Sequence, residues 1–152
     1  MTEPEFTIRP LAESDLPEWL RLRKLLWDES SEDDHMAEMV DIIENPESQF
    51  VAVADISSGQ LVGFLEASIR SFVEGCETEN VGYLEGWLVE ERYRRRGVGT
   101  GLVTLAERWA GEHGCTEMAS DAEINNLVSQ TAHAKLGYSE TSRLVHLRKE
   151  LG

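Results

Sequence analysis

The run Tyr93-Arg94-Arg95-Arg96-Gly97-Val98-Gly99-Thr100-Gly101-Leu102 sets arginine and glycine at a spacing suited to holding phosphate. It follows a strand-like segment, Val81 to Val89, and opens a helix-like one that ends at His113, before Gly114. Glycines let backbone N–H groups crowd an anion, and a helix N-terminus adds unpaired donors and a partial positive charge. The order here is Arg-x-x-Gly-x-Gly, Arg94 to Gly99. It is neither the Gly-x-x-x-x-Gly-Lys-Ser/Thr of nucleotide hydrolases nor the Gly-x-Gly-x-x-Gly of dinucleotide folds. A phosphate-bearing cofactor is the first expectation. The motif alone leaves open a tight loop with a solvated basic face.

The second chemical signal is acid. Fourteen Lys and Arg face 29 Asp and Glu, for a net charge of −15. Asp28 to Glu47 holds nine carboxylates and no Lys or Arg, and Ser71 to Glu91 holds six more, again without a cation. The basic exception is Arg92, Arg94, Arg95 and Arg96, beside the phosphate loop. No nucleic acid partner is expected, because a phosphate backbone needs a basic footprint. A mostly acidic body with one basic spot suits a cationic substrate and an anionic cofactor at different places. Strand alternation puts Tyr83, Glu85 and Trp87 on one face of their segment and Leu84, Gly86 and Leu88 on the other. An acid between aromatics is odd for a core and reasonable for a cation site; a solvated Glu on an open face is the plainer reading.

These groups need a frame, and the hydrophobic spacing supplies one. Phe6 to Arg9 reads as a strand. Asp15 precedes a helix through Leu26, and a second helix runs from Asp33 or Asp34 to Glu44, carrying Met36, Met39, Val40 and Ile43 before Asn45-Pro46 ends it. Phe50 to Ala54 and Leu61 to Arg70 form a hairpin around Ser57-Ser58-Gly59. After the phosphate loop a third helix buries Leu102, Val103, Ala106, Trp109 and Ala110. Glu117 to Asp121 is a strand, a fourth helix runs from about Asn125 to Leu136 with Gly137 as a left-handed cap, and Ser142 to Leu151 is a terminal strand.

Composition bounds the rest. A chain of 152 residues with 41% hydrophobic content fits one domain, 1–152, able to bury a core. No secretory h-region opens the chain, and no apolar run approaches the roughly 18 residues that cross a bilayer. Cys76 and Cys115 are too few for a disulfide framework and match a reducing cytoplasm, and no Cys/His spacing suggests a metal.

With those motifs in this order, the chain resembles the GCN5-related N-acetyltransferase (GNAT) superfamily. The cofactor loop of that superfamily reads Arg/Gln-x-x-Gly-x-Gly/Ala, and its members share the opening Phe6-Thr7-Ile8-Arg9-Pro10-Leu11 type of strand and the closing Leu136-Gly137-Tyr138. The resemblance implies an α+β fold, a central mixed and mostly antiparallel sheet flanked by about four helices, and acetyl-CoA as co-substrate with no metal. It places Trp87, Leu88 and Val89 where backbone groups hold the pantetheine arm and thioester carbonyl. The pyrophosphate falls on the amides of Arg95, Arg96, Gly97, Val98, Gly99 and Thr100, and Asn126 falls where an asparagine contacts the arm. His133 stands where many members carry a tyrosine general acid, which leaves that role unassigned.

Longer segments are similar to aminoglycoside 6′-N-acetyltransferases: Arg23-Lys24-Leu25-Leu26-Trp27, Ala67-Ser68-Ile69-Arg70, Phe72-Val73-Glu74-Gly75-Cys76, Leu84-Glu85-Gly86-Trp87, Glu117-Met118-Ala119-Ser120-Asp121 and Ser129-Gln130. The substrate-contacting positions of those enzymes fall on Trp27, Phe72, Glu85 and Asp121, with Phe72 replacing a tyrosine. A late acidic contact falls at Ser142, near Glu140. The resemblance implies acetylation of the 6′-amine of a cationic drug, hence antibiotic resistance, in a cytoplasmic homodimer. Glu85 is then the residue that accepts the amine's proton, directly or through water. An acetyltransferase acting on another amine, such as a polyamine or a peptide N-terminus, and a non-catalytic module holding coenzyme A or cations remain the alternatives.

Overall fold

A computed structural model describes residues 5–57 and 59–152, so Ser58 of the expected hairpin turn lies outside the described residues. Five strands form one sheet in sequential order: β1 (Thr7–Pro10), β2 (Gln49–Ser57), β3 (Gln60–Arg70), β4 (Val81–Val89) and β5 (Glu117–Ser120). The first three pairings are antiparallel and β4 with β5 is parallel. Helices α1 (Leu16–Leu26) and α2 (Glu32–Glu44) cover one face, and α3 (Val98–Glu112) covers the other. Helix α4 (Leu127–Lys135) follows β5. Among the described residues the sheet is mixed and mostly antiparallel with four α-helices, as the family resemblance implies.

Local chemistry fixes each helix start. Asp15 accepts the Ala12 N–H at 2.7 Å and a two-pronged bond from Arg9 at 2.7 and 2.9 Å, and Pro17 stands in the first turn, where its missing N–H costs nothing. Ser31 caps α2 by accepting the Asp34 N–H at 3.1 Å. Helix α3 buries Leu102, Val103, Ala106, Trp109 and Ala110 against β2, β3 and β4, as expected.

Three expectations are corrected. Helix α2 begins at Glu32 rather than at Asp33 or Asp34, because Ser31 supplies its cap; it turns His35 and Met39 inward, while Met36, Val40 and Ile43 are about half exposed. Residues 139–152 take up neither helix nor strand, so Ser142 to Leu151 is not a strand of this sheet. A strand exists only through a neighbour's backbone groups. In this segment Leu144, Val145, Leu147 and Leu151 are exposed.

The third correction concerns β4. The β3–β4 register slips between Glu66 and Ala67: Glu66 pairs with Gly86 and Ala67 with Leu84, leaving Glu85 as the extra residue of a bulge. Beyond a bulge the side chains change faces. Leu84, Trp87 and Val89 therefore pack on the α3 side, and Gly86 and Leu88 face α1. Tyr83 and Trp87 do not share a face, contrary to simple alternation.

Candidate active site

Strands β4 and β5 pair only from Val81–Glu117 to Leu84–Ser120. Past that point Glu85 to Val89 runs on without β5 beside it, so the strands part at the bulge. The chain then turns through a short 3-10 segment, Glu91–Tyr93, and the Arg94 Nε donates to the Val89 carbonyl at 2.9 Å, folding the loop back onto the end of β4. Arg95 has φ 64°, the one positive-φ non-glycine among the described residues, and Gly97 follows at φ 86°. Left-handed backbone is unfavourable for a residue with a Cβ. Spending it here points the loop into the first turn of α3, whose leading N–H groups have no helical partner.

Trp87 links this loop to α4. A Cβ added to Gly99 would meet the Trp87 Cζ2 at 2.9 Å, so only glycine lets the α3 terminus close over the indole. The same indole meets the His133 ring edge-on at 5.6 Å. Trp87 Nε1 is buried without a hydrogen-bond partner, the only such side-chain atom among the described residues. A buried donor left unpaired is costly. It lies at the strand gap, where an acceptor from a bound molecule would satisfy it.

His133 is fully engaged. Its Nδ1 lies 2.7 Å from the Ser129 carbonyl and its Nε2 2.8 Å from the Ser120 Oγ. A carbonyl can only accept, so Nδ1 carries the proton and Nε2 takes the hydroxyl hydrogen. The ring pins α4 to β5. Asn126 caps α4, its side-chain oxygen accepting the Ser129 N–H at 3.0 Å.

The acidic half of the site lies on the α1 side of β3 and β4. Glu85 accepts from Ser68 Oγ at 2.6 Å and from Arg70, whose Nη2 lies 2.5 Å from Oε1 and whose Nε lies 3.1 Å from Oε2. The Arg70 guanidinium sits 3.6 Å from the Tyr83 ring centre. Tyr83 in turn donates its hydroxyl to Asp121, and burial together with that carboxylate pushes its ionisation well above the ordinary phenol range. Glu85 and Asp121, remote in sequence, thus meet in one cluster through Arg70 and Tyr83.

Trp27 forms the adjoining wall. It caps the C-terminus of α1, its indole crosses Phe64 edge-on at 6.0 Å, and the Arg23 guanidinium lies 4.7 Å from its ring centre. His35 Nε2 donates to the Trp27 carbonyl at 3.1 Å, and its Nδ1 accepts from Arg23 Nε at 3.3 Å. Arg23 also pairs with buried Glu66, to which Trp19 donates at 2.9 Å; desolvation pushes the Glu66 carboxyl up despite the arginine. Phe72 stands apart at 74% exposure on the stretch after β3, and Ser142 lies in the exposed tail.

Apart from Phe72, Ser142 and the α4 cap Asn126, the predicted residues fall into two adjacent groups. Trp87, Leu88, Val89 and Arg95 to Thr100 surround the strand gap, while Trp27, Glu85 and Asp121 line the acidic side. Sequence reasoning missed Arg70 and Ser68 as partners of Glu85, although both lie at alternate positions of β3 facing β4. It also missed the Arg23–Glu66–His35 cluster; the signal was a glutamate inside the apolar run Leu61 to Ile69. Among the described residues no group of His, Cys, Asp and Glu could hold a metal ion.

This arrangement has relatives. The model of the Acetyltransferase (GNAT) family matches residues 19–138. An aminoglycoside N(6′)-acetyltransferase type 1 of Acinetobacter baumannii is 44% identical over 147 residues, covering 95% of this chain and 99% of the relative. Among solved structures, the 6′-N-acetyltransferase AAC(6′)-Ih from Acinetobacter baumannii superposes with TM-score 0.89 at 42% identity, covering 97% of this chain and all of the other. The enzyme AAC(6′)-Iy, bound to the bisubstrate analogue CoA-S-monomethyl-acetylneamine, superposes with TM-score 0.90 at 36% identity over 97% and 99% of the two chains. Strand pairing that ends at the bulge, a left-handed loop ahead of α3 and a family match over most of the length agree: the chain belongs to the GNAT family of acetyltransferases.

Proposed function

We propose that this protein transfers the acetyl group of acetyl-CoA to the 6′-amine of aminoglycosides, and that its 152 residues act as one catalytic domain. The observation that carries this reading is the meeting of Glu85 and Asp121 beside the gap between β4 and β5. An aminoglycoside carries several ammonium groups, and paired carboxylates beside an aromatic ring suit them. The relatives named above act on such drugs, and one is solved with a coenzyme A conjugate of neamine.

The residues present fit coenzyme A. The left-handed turn at Arg95 and Gly97 and the α3 N-terminus offer amides to a diphosphate, and the unpaired backbone edge of Trp87, Leu88 and Val89 suits an extended amide-bearing arm. The buried Trp87 N–H supplies one further donor. Acetyl-CoA brings an activated acyl group on a good leaving thiolate. The protein's part is orientation and charge. Trp27, Phe72, Glu85 and Asp121 hold the substrate, and Glu85 or a water on it takes the ammonium proton. The nitrogen then forms its bond to the thioester carbon as the C–S bond breaks, and main-chain donors steady the oxygen charge. His133, locked between Ser129 and Ser120, serves structure, so the departing thiolate takes its proton from solvent.

The working unit in this reading is a cytoplasmic homodimer. The exposed leucines and valine of residues 139–152 and the open edge of β5 support it, because a second copy can cover both. Both cysteines are free thiols, consistent with a reducing compartment, and none of the described helices is long and apolar enough to cross a membrane.

A thiol-release assay with acetyl-CoA tests the activity. Kanamycin-type drugs with a free 6′-amine should release coenzyme A rapidly, analogues lacking that amine should not, and spermidine should be a poor substrate. Equal rates with and without the 6′-amine, or faster turnover of spermidine, would replace this reading with that of a general amine acetyltransferase.

A further inference from the structure

Glu85 already has a cation. Arg70 places two guanidinium nitrogens on its carboxylate and the planar group over the Tyr83 ring, while Ser68 fills a further acceptor site. A carboxylate on one side and an aromatic face on the other is the environment that recognises an organic cation. Resting on the functional reading above, we propose that Arg70 occupies the position of a substrate ammonium, and that an incoming aminoglycoside binds Glu85 by exchanging its own charge for this guanidinium.

The placement permits such an exchange. Arg70 is the last residue of β3, and its side chain is 43% exposed, so it can turn into solvent without disturbing the sheet. Its hold is moderate, because a partly exposed ion pair with one cation–π contact is the kind of interaction that water and salt weaken. The charges also favour a multivalent guest. With Arg70 seated, Arg70, Glu85 and Asp121 sum to −1 and Tyr83 is neutral; with Arg70 turned out, two carboxylates face the cleft. A substrate bringing two ammonium groups answers both, whereas a single amine only replaces one cation by another. Arg70 is thus a selectivity device that raises the threshold for monoamines.

Removing the competing charge should tighten drug binding. In Arg70→Gln the KM for a 6′-amine aminoglycoside should fall about tenfold, the scale of an exposed ion pair plus a cation–π contact. The KM for simple monoamines should fall further, narrowing selectivity, while the KM for acetyl-CoA stays as in the parent. Arg70→Lys should restore most of the parent KM. A KM that rises or holds in Arg70→Gln, with an unchanged melting temperature, would overturn the proposal in favour of Arg70 as a fixed support for Glu85. Should Arg70→Gln fold poorly, the parent protein still decides. The Arg70 Nε resonance in nitrogen-15 spectra, assigned through Arg70→Lys, should move to the position of a solvated arginine on saturation with kanamycin. A resonance unmoved by drug would refute the exchange. If the parent acetylates no aminoglycoside, the functional reading itself fails; if it does and Arg70 stays put, only this inference fails.

Discussion

Trp27 rests against the backbone of Gly86: a Cβ built on that glycine would stand 2.4 Å from both Cη2 and Cζ2 of the indole. Gly86 directly follows the bulge residue Glu85, so the aromatic wall and the carboxylate are fixed to one another through a single peptide unit. The wall can approach only because position 86 carries no side chain. Gly86→Ala should push the indole off β4 and widen the cleft. The expected result is a KM for aminoglycoside raised about tenfold, little change in the KM for acetyl-CoA, and a stability loss of about 1–3 kcal/mol from overpacking. Steady-state kinetics with each substrate varied in turn would check it, and an equal rise in both KM values would refute a local effect.

Glu85→Gln keeps the shape of the bulge and the bond from Ser68, but it removes both the negative charge and the proton acceptor. Turnover of 6′-amine drugs should fall about 100-fold or more, within the range that general-base removal produces. Acetyl-CoA affinity, read by calorimetry, should be nearly unchanged, because Glu85 lies on the α1 side and away from the phosphate loop. Parent-like kcat in this variant would remove Glu85 from the mechanism.

Much of this site is legible in the chain because it rests on backbone geometry that sequence encodes directly. Gly97 of the loop falls where the backbone turns left-handed, and Asp15 directly precedes α1 as expected, whereas α2 begins at Glu32, ahead of the expected Asp33 or Asp34. The bulge at Glu85 is not legible. Alternation assumes an unbroken ladder, and one extra residue moves Trp87 to the opposite face from Tyr83. The role of Arg70 is not legible for a related reason: its link to Glu85 crosses strands, and cross-strand register depends on the bulge. The tail failed differently. Residues 142 to 151 have a strand's composition, but composition cannot say whose edge they join.

Deleting residues 142–152 tests the tail. The parent should sediment as a dimer and the shortened chain as a monomer with a similar circular dichroism spectrum, because the tail contributes no helix or strand of its own. A shortened chain that still dimerises would place the interface elsewhere, with the half-exposed Met36, Val40 and Ile43 of α2 the next surface to examine.

The Arg9–Asp15 pair anchors the start of α1, the helix that carries Trp27, and its contribution should depend on pH in a definite direction. Hydrogen bonds from Arg9 hold the Asp15 carboxyl below the usual carboxylate range, with the Ala12 N–H adding to the effect against the cost of burial. A carboxyl whose folded pKa is depressed binds its proton more readily in the unfolded chain, so protonation favours unfolding. The stabilisation is therefore fully present above the unfolded value of about 3.9, and it drains away as pH falls from there through the folded value. Asp15→Asn should cost about 1–3 kcal/mol at pH 7, through the lost charge-assisted bonds. The gap between variant and parent should close progressively below about pH 4. Urea titrations at pH 7, 5, 4 and 3 would measure it. A gap that stays constant across that range would mean that Asp15 acts by shape alone, without its charge.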